Sequence, residues 1–276
     1  MVLLENLGLS GVMLMVLFFG KMVMDIVLSV FYGKNADQEL TMADNPAFGI
    51  SFVGYLGGLT IATLTGITTS GSSYFTDITI IMIHGVFAVV ALLLARFVND
   101  FAVLYQVSNT AEIFEEKNVG IGMVEAGSFL ATSFILAGSW SSGGWGAVCL
   151  WFLIGQLMLV LTALFYQKIL PYDLHKEIDE GNLACALGLA GFLLAVGWVI
   201  WEAMSGPVTT FTADLFGVGI YLVIALVVLA VVRLVTDWVF LPGTTLKEEI
   251  GQRNINAGLL EAAMYIISAA AFTVFV

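Results

Sequence analysis

Charge is the first thing this chain lacks: only 11% of its 276 residues are charged and 60% are hydrophobic, where a soluble domain carries about a quarter charged residues. That excludes a water-soluble globular protein and leaves a multispanning membrane protein. Positive charge is scarcer still. Nine Lys and Arg stand against 21 Asp and Glu, a net charge of −12, so a nucleic-acid footprint or a basic helix for anionic lipid has nothing to be built from. Cysteine occurs at Cys149 and Cys185 alone, each in an apolar run, and the two histidines, His84 and His175, lie far apart. No disulfide framework, zinc box or other metal site is encoded. A nucleophile with its base and orienter, or a phosphate loop, is also missing, so neither an enzyme nor a cofactor is expected.

Long apolar runs are abundant. A helix needs roughly 20 apolar residues to cross about 30 Å of hydrocarbon, and eight stretches qualify: 9–32, 46–69, 78–106, 119–140, 145–170, 183–204, 214–241 and 255–276. Barrel strands would be half as long and would alternate in polarity. No Lys or Arg precedes the first run and no small-residue cleavage pattern lies before Lys21, so a cleaved signal peptide is not expected. Lys34, Lys117, Lys168, Lys176, Lys247 and Arg253 fall in or beside the loops that follow odd-numbered spans. The positive-inside rule then places those loops in the cytoplasm and both termini outside. The same loops are rich in acids, and Ala111 to Lys117 and Asp173 to Gly181 read as extended, exposed segments.

The apolar text repeats. Four segments follow a charged loop with an Asn and then a small-residue helix: from Met42, Glu115, Asp179 and Gly251, with asparagines Asn45, Asn118, Asn182 and Asn254. Asn is a strong helix N-cap and Pro46 occupies the favoured first helical position, so each Asn is expected to start a helix. The halves match as well. Asp77 and Asp214, Arg96 and Arg233, and Asp100 and Asp237 are each 137 positions apart, while Asn118 and Asn254, and Glu125 and Glu261, are each 136 apart. The fold class is therefore an all-α membrane protein of eight transmembrane helices, built as two four-span units, 1–140 and 141–276, each made of two hairpins. All hairpins enter the bilayer in the same sense, so the repeat is parallel.

The segment Asn182-Leu183-Ala184-Cys185-Ala186-Leu187-Gly188-Leu189-Ala190-Gly191, within a four-span module present as a tandem pair, resembles the bacterial inner-membrane proteins catalogued as domain of unknown function 350. The resemblance covers nearly the whole chain. It implies an integral membrane protein and carries no activity with it.

Ionisable residues inside spans are costly and are functional candidates by default. Lys21 and Asp25, Arg96 and Asp100, and Arg233 and Asp237 are basic-then-acidic pairs four residues apart, each on one helix face. In the third hairpin, Thr162 and Tyr166 stand at the equivalent positions. Because basic-before-acidic is the less favourable order within a helix, a partner on another helix is expected. Glu125 and Glu261, each about 10 Å inside the following span, are at the matching depth. Two triads follow, Arg96 with Asp100 and Glu125, and Arg233 with Asp237 and Glu261. As structural locks they would fix which hairpin docks on which; as a pathway they would leave one negative charge for a proton or cation. The expected function is a cation or proton channel or transporter, and the alternative is a non-conducting scaffold that recruits a cytoplasmic protein to its acidic loops. Besides the lipid bilayer, the partners this allows are a cation, a cytoplasmic protein and a second copy, since Gly-rich faces permit self-association.

Overall fold

The computed structural model describes residues 2–67 and 73–275; the ends of two expected spans, 68–69 and 276, lie outside them. In chain order the helices are α1 (Val2–Tyr32), α2 (Ala36–Thr41), α3 (Pro46–Leu64), α4 (Tyr74–Val98), α5 (Asn109–Phe114), α6 (Val119–Ser139), α7 (Trp145–Ile169), α8 (Leu174–Asp179), α9 (Leu183–Met204), α10 (Phe211–Phe240), α11 (Leu246–Gly251) and α12 (Ile255–Phe275). Eight of them, α1, α3, α4, α6, α7, α9, α10 and α12, are long and apolar enough to cross a membrane. The protein is an all-helical membrane protein with eight such helices among the described residues.

Span ends follow local chemistry. Asn45, Asn118 and Asn182 each accept backbone N–H groups at the starts of α3, α6 and α9, and Asn254 accepts from the N–H of Asn256 at the start of α12, which satisfies donors that a helix terminus otherwise leaves open. Ser73 and Thr210 cap α4 and α10. The first span begins earlier than position 9, because Glu5 and Asn6 do not interrupt a helix. Leu170, held extended before Pro171, ends α7. Between the two halves, Gly143 (φ 87) and Gly144 (φ 145) take backbone angles that side chains disfavour and turn the chain from α6 into α7.

The loops expected to be extended contain helices instead. α2, α5, α8 and α11 lie in the four basic loops, and they bury Ile113 and Phe114, Leu174, His175 and Ile178, and Leu246 and Ile250. The acids between them hid an amphipathic single turn. The residue between each short helix and its Asn lies in the left-handed region: Asp44, Lys117, Gly181 and Arg253. This fourfold recurrence ends each short helix and directs the chain into the next span.

The even-numbered spans form a row of parallel helices in the order α3, α6, α9, α12, each packed mainly on the next. α4 rests on α3 and α6, α7 on α6 and α9, and α10 on α9 and α12, while α1 packs on α4 and α3. α6 and α9 are therefore the interior of the molecule, whereas α1 and α10 keep most of their surface for lipid. Close approach within the row depends on glycine. A methyl at Gly127 would come 2.9 Å from the Cα of Ala190, and Gly54 and Gly191 meet Ala126 and Ala262 in the same way. Small residues permit this approach, and dispersion between backbones then replaces contacts with lipid.

Candidate functional site

The packing brings Glu125 and Glu261 each against the arginine that precedes it in the chain. In the first half, Arg96 near the end of α4 points at Glu125, seven residues into α6, with Nε 3.4 Å from Oε1 and only 1% of either side chain exposed. Ser51 of α3 donates its hydroxyl to Oε2 of the same carboxylate. The guanidinium also lies 5.5 Å from the ring centre of Tyr32 and 6.0 Å from that of Phe114, so two aromatic faces close the site toward the loops. Its Nε, Nη1 and Nη2 make no hydrogen bond among the described residues, nor does Glu125 Oε1.

The second half uses a different set of neighbours. Arg233 Nη1 bonds Glu261 directly, and the same carboxylate oxygen accepts from Tyr265 at 3.0 Å and Tyr166 at 3.3 Å. Tyr166 is the residue that stands where the third hairpin has no charge; Thr162 bonds only its own helix, at the carbonyl of Leu159. Phe192 stacks on Tyr166 with centroids 4.2 Å apart and fixes the ring. Glu261 Oε2 has no hydrogen-bond partner among the described residues. Gly188 makes room for it, since a methyl there would come 2.5 Å from that oxygen. Arg233 is 17% exposed where Arg96 is closed in. It borders a 230 Å³ cleft lined by Phe165, Ile169 and Leu234, all facing the lipid side between α7 and α10.

The aspartates of the expected triads do other work. Asp237 accepts the backbone N–H of Leu246 at 2.6 Å and Asp25 that of Ala36 at 3.0 Å, so each anchors the first residue of a short loop helix. Asp100 accepts from the Asn109 side chain at 2.6 Å. Lys21 bridges Asp25 at 2.7 Å and Asp37 at 2.9 Å. Arg96 and Arg233 thus pair across helices with a glutamate, and only Lys21 pairs within its own helix. Asp100 sits in a π-helical turn, Asn99–Val103, that ends α4. This turn frees the Val103 carbonyl to accept from Gln167 at 2.8 Å and from His175 at 3.3 Å, and so ties the first half to the second.

The asparagines do more than cap. Asn45, Asn118 and Asn182 donate their side-chain amides to the carbonyls of Ile113, Ile178 and Ile250, each in the loop helix of the next hairpin. Each also donates to a glutamate carboxylate five or six residues earlier, Glu39, Glu112 or Glu177, as Asn254 does to Glu249. Those glutamates escaped the sequence reading, although their recurring distance from each Asn was visible. His84 stands apart from both charge pairs and stacks on Trp140 at 3.9 Å. Among the described residues, no three His, Cys, Asp or Glu side chains gather as metal ligands.

The chain matches Domain of Unknown Function (DUF350) in two tandem copies, over residues 2–140 and 139–276. A "UPF0719 transmembrane protein" of Aquifex aeolicus (strain VF5) is 24% identical over 257 residues, which cover 91% of this chain and 92% of that protein. No solved structure matches. With two copies of the family spanning nearly its whole length, this chain belongs to the DUF350 family.

Proposed function

We propose that this DUF350 protein moves protons, or small cations in their place, by way of Glu125 and Glu261, in a bacterial inner membrane with its loop helices in the cytoplasm. The observation that carries this reading is that each buried carboxylate has one oxygen that accepts no hydrogen bond among the described residues: Glu261 Oε2, and Glu125 Oε1, which faces Arg96 as an ion pair only. Each of these carboxyl groups is buried inside a span and faces an arginine on a neighbouring helix, and intramembrane carboxylates so placed are characteristic of proton and cation routes. Tyr166 and Tyr265 add hydroxyls that can pass a proton to Glu261, and Ser51 does the same for Glu125. The acidic loops would concentrate cations at the cytoplasmic mouth. No catalytic step is assigned.

Flux into proteoliposomes tests it. The native protein should carry cation or proton current above that of empty liposomes, and the Glu125→Gln, Glu261→Gln double variant, less stable because each arginine loses its acid and assayed at a temperature where it is still folded, should lose it. Native flux equal to that of empty liposomes, or undiminished flux in the variant, overturns the reading.

A second reading, a scaffold for a cytoplasmic protein, is favoured by the anchoring of α2 and α11 through Asp25 and Asp237, which holds exposed acids such as Glu248 in a fixed array. Co-purification of a cytoplasmic protein that is lost on loop charge reversal, in a chain without flux, would select it.

A further inference from the structure

The three junctions within the row are copies of one another. At each, the residue nine positions after the Asn of one span (Gly54, Gly127, Gly191) meets the residue eight positions after the Asn of the next (Ala126, Ala190, Ala262). On the loop side, the Asn amide of one hairpin bonds the Ile carbonyl of the next. Unlike faces of parallel helices meet, so the contact is heterologous and does not satisfy itself; it leaves one face open at each end of the row. Asn254 has Glu249 as an acceptor but no following Ile carbonyl. At the other end Leu40, five residues before Asn45 as Ile113 is before Asn118, has a carbonyl that no described group bonds. Val53 on α3 and Ile267 on α12 are 69% and 61% exposed on the two open faces.

We propose that a second copy of this chain docks on these faces, α12 of one copy against α3 of the next, in the register the row already uses. Ala263 then meets Val53, Asn256 meets Gly49, and Asn254 donates to the Leu40 carbonyl. The complementarity is specific: the Asn254 amide bonds Glu249 but no carbonyl of a following loop helix, and the Leu40 carbonyl stands where the other loop helices receive such an amide. The new junction is looser than the internal ones. Val53 stands where the other three spans have alanine, and Ile267 stands where Gly58, Ala131 and Ala195 stand. The helices therefore cannot approach as closely, and the association is reversible while the internal row is permanent.

The test uses full-length protein in liposomes, with Cys149→Ala and Cys185→Ala to remove the native thiols. Val53→Cys and Ala263→Cys together should give disulfide-linked multimers on oxidation, and neither change alone should. Linking by one of the single variants alone would mean that like faces meet, which overturns the register; no linking in any variant together with monomers in single-molecule counting, the result expected if lipid covers both faces, overturns the proposal. Val53→Ala with Ile267→Ala restores small residues and should strengthen association about tenfold, as the loss of a steric clash implies, while Val53→Trp should weaken it as much. Equal counts in native, tightened and blocked proteins also overturn the proposal.

Discussion

The Arg96 guanidinium and the Glu125 carboxylate meet between α4 and α6 with Nε 3.4 Å from Oε1, inside a layer that leaves 1% of each exposed. Each is the other's compensation for leaving water, and removing one strands the other. Arg96→Met is expected to lower stability by about 3–5 kcal/mol, whereas Arg96→Met combined with Glu125→Met should recover most of the loss. Thermal melting in detergent or nanodiscs measures both, and a single variant that melts like the native protein would show that the two side chains do not compensate each other.

Asp237 holds the first N–H of α11 and Asp25 that of α2. Substituting Asn at either position weakens one charge-assisted hydrogen bond at the end of a short helix, worth about 1–2 kcal/mol locally, and at position 25 it also removes the partly exposed ion pair with Lys21. Hydrogen exchange at Leu246 or Ala36 should therefore accelerate while global melting barely moves. Unchanged exchange at those amides would deny the aspartates an anchoring role.

Gly127 faces the Ala190 backbone and Gly57 faces only the end of the Leu130 side chain at 3.4 Å. Gly127→Val should destabilise the α6/α9 junction by about 1–3 kcal/mol or more, because backbone cannot yield as a side chain can. Gly57→Ala is the control and should cost little. Comparable melting of the two variants would mean that the row is more loosely packed than it is here.

Asn182 is fully buried and holds the Cys185 N–H, the Glu177 carboxylate and the Ile250 carbonyl together. Asn182→Ala should cost about 2–3 kcal/mol through the partners it leaves unsatisfied, and Asn254→Ala nearer 1 kcal/mol. Reversal of that order in melting experiments would place the weight on the end of the row instead of its centre.

His175 lies in α8, packed against the Tyr105 ring at 4.8 Å, with Nε2 donating to the Val103 carbonyl. Burial pushes its pKa below the usual histidine value, and this outweighs the opposing pull of the Val103 carbonyl and Asp173. The unfolded chain, titrating near 6.5, thus takes up a proton before the folded one does. The stability contributed by neutral His175 is present above about pH 6.5 and falls as the pH drops below it. His175→Gln keeps a donor for Val103 and should flatten this part of the profile. An identical slope in native and variant melting between about pH 7.5 and 5.5 would assign the acid sensitivity to other groups.

The eight spans, their caps at Asn45, Asn118, Asn182 and Asn254 and the twofold repeat were legible in the residue order, because length, hydropathy and capping are local or periodic properties. The single-turn helices were not. Six residues are too few for a hydrophobic period to stand out, and the partners that bury Ile113 or His175 belong to distant segments. Glu125 and Glu261 could be matched in depth to Arg96 and Arg233 by counting residues, since helical rise is fixed. Which carboxylate each arginine would choose could not be counted. Asp100 and Asp237 lie nearer in sequence, yet they turn to Asn109 and to the Leu246 N–H.

The sequence by itself determined that the chain crosses the membrane eight times in two related halves, because the bilayer imposes length and polarity on every span independently. Only the tertiary structure decided that the even spans stand side by side in one register, that Tyr166 joins Arg233 at Glu261, and that the first charge pair is closed while the second borders a lipid-facing cleft. Those outcomes depend on how closely particular helices approach, which is set by which glycine meets which alanine across the row, a relation between residues that no single stretch of the chain contains.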